Sequence, residues 1–515
     1  MDNSRTRNSV FNISAAFLLK ICTIFTSFVS RTIIIYILGD VVLGLNSLFT
    51  TILTVLSLSE LGVTSAITYH LYSPMKNKNE NKLKEITLLY KTCYRVIGIV
   101  MFILGIALIP FLDQFVNINV DYDININVIY IMTLLRSVVS YWFYGFSQVI
   151  IEADQKQRVV STYNTISNLI SIVVIILALV LFKNYYIYLL ILILFEIIRN
   201  IFLYIYTKRN YPWLNDLKNI HISSKLKKLV FKDVYSVFVF KITTTIGQSI
   251  DNILISMFIS TILVGYYGNY TMIATYVISI ATMIINSMGA SVGNLHAEND
   301  LNKTKKIFYE IDMINFIIMA IFTVCLNQLL TPFILFWLKD TKFVISTLCV
   351  HLICANNYII SSLNAIYIFR NALGLFNYGK YNFLACGISN LIFSIILGKF
   401  FGLEGVLIAT FLSYFIISTY PFPHYLFKYG FKSSPVSYYI EMTFRMVLVI
   451  LMCLLSNMIC KYISIKGLMG LVIQGILCSF VSIMLISICY YKSDKYLSLI
   501  NRLKNLISRY NRRKK

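Results

Sequence analysis

Four cations set deep inside apolar segments are the residues of this chain best placed to do chemistry. Lys20 and Arg31 fall in the first apolar stretch, Arg136 in the fourth and Lys241 in the seventh. None has an acid three or four residues away with which to pair along its own helix. A Lys or Arg at the centre of a membrane helix costs about 3 kcal/mol, so four uncompensated ones would cost roughly 12 kcal/mol. They must face water, an acid or an anionic substrate. Lys20 and Arg31 are eleven residues apart, about 1,100° of helical rotation, and so share a face at different depths. Two arrangements suit such a ladder. One is a water-filled cavity that receives an anion. The other is a set of inter-helix salt bridges that close a gate, Arg31 with Asp251 for instance. Glu60 and Asp251 are the nearest candidate acids, for gating or ion coupling.

The elements that must hold these cations are long and oily. The chain is 58% hydrophobic and 13% charged, yet its formal net charge is +23. Apolar runs repeatedly exceed the roughly 18 residues that mark a membrane helix. Fourteen candidate spans are predicted at about 10–38, 41–72, 86–111, 124–150, 159–182, 185–206, 233–259, 262–293, 307–338, 343–369, 381–400, 403–427, 438–463 and 467–491. The first run is too long for a signal-peptide core and reads as an uncleaved span. The gaps between spans alternate, one basic and the next almost uncharged. Of the 45 Lys and Arg, 31 fall on one side and six on the other. The positive-inside rule then places both termini in the cytoplasm. Outer loops are very short, the longest at about 112–123. They leave no outer domain for a large catalytic site, so an enzyme is not expected.

Other charges have local explanations. Glu196 with Arg199 and Glu441 with Arg445 stand one helical turn apart and can pair. The ten Cys include no CxxC pair, so neither a disulfide framework, a metal site nor a cofactor is expected. Residues 493–510 align Tyr496, Leu499, Leu503, Leu506 and Tyr510 on one stripe, with Lys495, Arg502, Lys504 and Arg509 mostly elsewhere. That pattern predicts a basic amphipathic helix on anionic inner-leaflet lipids. Nucleic acid is not an expected partner.

A weak internal repeat divides the chain. Lys20 and Arg31 in span one correspond to Lys241 and Asp251 in span seven. Each of these spans is followed by a short turn and an early glycine, Gly44 or Gly265, and the next span ends with His70 or His296. The expected organisation is an N-terminal six-helix lobe (1–206), a basic cytoplasmic linker (207–232) and a second six-helix lobe (233–427). An extra helix pair (438–491) and a basic tail (492–515) follow. Both lobes start from the same side, so the repeats are parallel.

With these features in place, LGDVVLGLNSLF (38–49), SELGVTSAITYHLY (59–72) and DNILISMFISTILVGYYGNY (251–270) carry a resemblance. The chain resembles the oligosaccharide flippases of the multidrug/oligosaccharidyl-lipid/polysaccharide (MOP) exporter superfamily. The resemblance implies an all-α polytopic membrane protein of about fourteen helices, with two pseudo-symmetric six-helix lobes, two C-terminal helices and a MATE-like fold. It implies movement of undecaprenyl-diphosphate-linked oligosaccharide from the inner to the outer leaflet of a bacterial cytoplasmic membrane. The product would feed capsule, exopolysaccharide or O-antigen assembly beside polymerase and chain-length machinery. It supports Lys20, Arg31, Arg136 and Lys241 as the diphosphate-binding cations. A drug/cation antiporter of the same superfamily is the alternative, and its acidic cavity and twelve spans fit less well. A membrane polysaccharide polymerase or glycosyltransferase is a further one, which typically needs sizeable outer loops.

Overall fold

A computed structural model describes residues 19–57, 63–118, 124–154, 156–215, 217, 220–287, 300–375, 378–462, 467–498 and 500, without the side chains of 65–66, 232–233, 235–248 and 380. Among the described residues there are helices, turns and no strand. Two compact units divide the chain, Met1–Gly265 and Tyr266–Lys515.

The first unit contains α1 (Leu19–Leu38), α2 (Asp40–Leu56), α3 (Val63–Lys76), α4 (Glu80–Ala107), α5 (Ile126–Trp142), α6 (Phe146–Ala153), α7 (Gln157–Phe182), α8 (Tyr185–Asn210) and α9 (Ser224–Phe258). It ends at the fifth residue of α10 (Thr261–Ser287). The second unit continues with α11 (Leu301–Leu338), α12 (Thr347–Ser362), α13 (Asn364–Ala372), α14 (Lys380–Ile417), α15 (Val436–Cys460) and α16 (Gly467–Tyr490).

Among the described residues, ten apolar helical segments are long enough to cross a membrane. The α5–α6 pair, bent by 48°, makes an eleventh. Helix α14 is two helices joined at Gly402, where φ is +61°. This left-handed conformation suits glycine, and it stands where the sequence predicts the turn between spans eleven and twelve. With α2–α3 and α9, the chain is an all-α polytopic membrane protein of about fourteen spans.

In the first unit, α8 packs against α5 and α7, α5 against α4, and α9 against α2 and α3. In the second, α11 is the spine, touching α12, α15 and α16. The faces turned away from these contacts are apolar. Leu177, Val180, Leu181 and Phe182 on α7 are 60–74% exposed. Such a surface is stable only against hydrocarbon.

Helix ends depart from the predicted spans for local reasons. Helix α9 begins nine residues earlier than 233 because the Ser223 hydroxyl accepts from the amide of Leu226, and Val230 on the following turns is buried. Helix α11 begins at 301 rather than 307, capped by Asp300, which accepts from the Lys303 amide at 2.9 Å. The predicted span 124–150 is bent at 143–145. There Tyr144 has φ +60°, and a Cβ on Gly145 would stand 2.0 Å from the Ser140 carbonyl oxygen.

The turns at the basic gaps are tied together. The Tyr211 hydroxyl donates to Asp154 Oδ2 at 2.7 Å, and Lys156 Nζ lies 2.7 Å from the same oxygen. Burial pushes the Asp154 carboxyl up, but these two hydrogen bonds together with the Lys156 charge outweigh it and hold the group below its ordinary range. The Ser223 amide donates to Glu85 Oε1 at 2.7 Å, joining the gap after α3 to the start of α9.

Candidate functional site

The cation ladder begins on α1. Its last turn is a π-turn closed by the Gly39 amide on the Ile34 carbonyl, at 3.0 Å. Gly39 has φ +87°, and α2 starts at the next residue. A single glycine therefore reverses the chain where the sequence predicts the loop Gly39-Asp40.

Lys20 and Arg31 are half-buried on this helix. Arg31 Nη2 donates to the carbonyl of Gly265 at 2.8 Å. Gly265 also faces Gly44. A Cβ on Gly44 would stand 2.3 Å from the Thr261 carbonyl oxygen, and one on Gly265 would stand 3.0 Å from the Gly44 amide nitrogen. The two glycines that the repeat aligns are thus in backbone contact, and Arg31 is bonded beside them. The turn before Gly265 is held as well. Thr261 N donates to the Asn117 carbonyl at 2.9 Å, and Ser256 Oγ to that of Phe115 at 2.6 Å.

Arg136 is half-buried on α5 and interacts electrostatically with Tyr185 at the start of α8. Tyr185 donates to Asn46 Oδ1 on α2 at 3.2 Å and stacks on Tyr188 with ring centroids 5.6 Å apart. The Tyr188 hydroxyl lies 3.3 Å from Ser30 Oγ, the chain neighbour of Arg31. A polar seam therefore runs from Asn46 on α2 through Tyr185 and Tyr188 on α8 to Ser30 on α1, with the charge of Arg136 acting on its Tyr185 end. The sequence reading singled out the cations and missed Tyr185, Tyr188 and Asn46. Their number among 37 tyrosines, and their fit to an interfacial belt, hid the two aromatic residues.

Asp251 is buried on α9, 6% exposed, and its neighbour Asn252 donates to Thr51 Oγ1 on α2 at 2.9 Å. Lys241 lies on the same helix, with its side chain outside the described residues. Glu60 and His296 also lie outside them. The structure thus brings Ser30, the neighbour of Arg31, to the tyrosine seam and places Arg136 and Asp251 in the same unit.

Embedded charges in the second unit have a different character. Arg445 Nη1 meets Asp312 Oδ2 at 2.6 Å and its Nη2 meets Glu441 Oε1 at 2.6 Å. Lys495 Nζ lies 2.5 Å from Glu441 Oε2, and Tyr438 donates to Asp312 Oδ1 at 3.1 Å. The Arg445 guanidinium also sits 4.9 Å from the centre of the Phe316 ring. The expected Glu441–Arg445 pair is present, as is Glu196–Arg199 in the first unit. Asp312 and Lys495 were not foreseen as their partners. Lys495, expected on the polar side of a surface helix, instead completes a group of two acids and two bases in which Arg445 and Asp312 are buried and Glu441 and Lys495 half-buried. Ser498 extends the docking by donating to Glu310 Oε1 at 2.7 Å. The tail stripe beyond 500 lies outside the described residues.

Comparisons with known proteins agree with this architecture. The sequence pattern of the family described as "Polysaccharide biosynthesis protein" matches residues 9–292, more than half of the chain. No curated protein matches. Among solved structures, the lipid II flippase MurJ in an inward closed conformation superposes with a TM-score of 0.68 at 15% identity, covering 94% of this chain and 99% of that one. An inward-facing multidrug resistance MATE family transporter of the MOP superfamily gives 0.56 at 12%, covering 76% and 92%. The MATE multidrug transporter DinF-BH gives 0.54 at 19%, covering 78% and 94%. At these identities the likeness establishes the fold. The family match establishes membership: this chain belongs to the polysaccharide biosynthesis protein family and has the fold of the MOP-superfamily transporters.

Proposed function

We propose that the protein is a flippase, without catalytic chemistry of its own. It translocates undecaprenyl-diphosphate-linked oligosaccharide from the inner to the outer leaflet of a bacterial cytoplasmic membrane by alternating access. The product feeds capsule, exopolysaccharide or O-antigen-type assembly, in company with polymerase and chain-length machinery. The observation that carries this reading is the polar seam of Asn46, Tyr185, Tyr188 and Ser30, beside Arg31 and under the charge of Arg136, in a unit whose α7 face is apolar. A diphosphate cannot cross hydrocarbon unaided, and half-buried guanidiniums are the groups best able to replace its water, since each presents a planar fork of donors. In this reading Lys20, Arg31, Arg136 and Lys241 hold the diphosphate, and Glu60 and Asp251 serve gating or ion coupling.

The fold likeness to multidrug transporters favours the antiporter as a second reading. Cationic drugs call for available acids, whereas in the second unit Asp312 and Glu441 are neutralised by Arg445 and Lys495. Proteoliposomes loaded with lipid-linked oligosaccharide test the proposal through the glycan's exposure to an external glycosidase. Wild-type protein is expected to expose it, and Arg136→Ala to slow exposure at least tenfold at equal protein yield. Wild-type vesicles no faster than empty ones would overturn the function. Full-rate transport by Arg136→Ala would overturn the site.

A further inference from the structure

We propose that the cavity where the α3–α4 turn meets the start of α9 binds the phosphate headgroup of an anionic bulk phospholipid. The cavity measures about 400 Å³ and is walled entirely within the first unit. His70 of α3, Lys82 of α4 and Lys225 of α9 supply its basic lining. Ile86, Leu226 and Leu229 supply an apolar wall. The acid on its rim, Glu85, accepts from the Ser223 amide at 2.7 Å and closes the wall between the two segments. Neither Lys82 nor Lys225 forms an ion pair among the described residues.

Three features select the ligand. Two lysines converge from segments 143 positions apart in the chain, so the cavity collects charge from two basic gaps into one place. Helices α4 and α9 both begin there, capped by Asn79 and Ser223, and the positive ends of their dipoles add to the lysines. The apolar wall is of no use to a soluble anion but suits the glycerol and first methylenes of a lipid. Leu229 is 45% exposed, and this end of the unit carries the charge bias expected to face an anionic leaflet. His70, singled out by the repeat but unused by the proposed transport site, finds a place here.

The inference stands on membrane embedding alone and is read by equilibrium binding, so failure of the flippase reading would leave it intact. The full-length protein in detergent is titrated with phosphatidylglycerol, and bound lipid is counted by native mass spectrometry. Each lysine near a charged lipid surface is worth about fivefold in affinity, so Lys82→Gln/Lys225→Gln is expected to bind roughly 30-fold more weakly. Lys227→Gln/Lys228→Gln, on the same helix but outside the cavity lining, is expected to bind as wild type. Equal weakening by both pairs would show general surface attraction and overturn the site. Leu226→Asn/Leu229→Asn is expected to weaken phosphatidylglycerol binding as well. Inorganic diphosphate displacing the lipid at equal concentration would overturn the lipid assignment. A more than tenfold preference for undecaprenyl diphosphate over phosphatidylglycerol would overturn its assignment to bulk phospholipid. Thermal midpoints measured without added lipid serve as the folding control, and lysine variants matching wild type there while binding normally would also overturn the proposal.

Discussion

Arg445 shows how one buried residue depends on partners far away in the chain. Its guanidinium is shared by Asp312 and Glu441, and Lys495 supplies the second positive charge. Removing one partner of a buried pair costs about 3–5 kcal/mol because the remaining charge is left uncompensated. Asp312→Ala is therefore expected to lower the thermal midpoint sharply. Lys495→Ala leaves two acids on one Arg and destabilises by a smaller amount, since Lys495 is 29% exposed. Adding Glu441→Gln to Lys495→Ala restores neutrality and is expected to recover most of the loss. A double variant as unstable as the sum of the singles would refute the charge-balance account. Half of this group was legible in the sequence, because Glu441 and Arg445 stand one turn apart. Asp312 was not, because it lies 133 residues from Arg445 and no local pattern connects them. The tyrosine seam escaped both because its partners Asn46 and Ser30 are distant in the chain and because Tyr185 and Tyr188 look like interfacial-belt residues.

At the scale of elements, glycines decide how closely helices meet and where they turn. Gly44 lies against the backbone of Thr261, with room for a hydrogen only. Gly44→Ala must push two main chains apart and is expected to destabilise by about 1–3 kcal/mol, read as a lowered thermal midpoint. A variant as stable as wild type would show that the contact is not tight. Gly402 and Gly39 act differently, each adopting a positive φ that ends one helix and starts the next. Both turns were foreseen from hydropathy. The predicted spans 159–182, 185–206 and 467–491 lie close to α7, α8 and α16. Predicted starts failed where a cap lengthened the helix beyond its apolar core, as Ser223 and Asp300 do. Hydropathy measures the thickness of hydrocarbon, whereas a helix continues for as long as its backbone and caps are satisfied.

At the scale of the whole molecule, the charge alternation makes a testable statement about orientation. Alkaline phosphatase fused after Lys183 or Lys339 is expected to be active, as it is only outside the cytoplasm, and after Lys78 or Lys303 inactive. The reverse pattern would overturn cytoplasmic termini. The contacts Glu85–Ser223 and Asp154–Tyr211 agree with the alternation, since each joins two gaps assigned to the same side. The sequence by itself determined the class of protein, the approximate spans, the alternation of basic and uncharged gaps and which cations lie among apolar residues. These follow from composition and spacing because the bilayer imposes a fixed length and a high cost on buried charge. Only the tertiary structure decided which polar groups accompany those cations. It joined Tyr185 and Tyr188 to Asn46 and Ser30, bonded Arg31 to Gly265, and turned the scattered Asp312, Glu441, Arg445 and Lys495 into one neutral cluster. Hydrogen bonds and ion pairs act over a few ångströms between helices distant in the chain. Their partners become definite only once those helices pack.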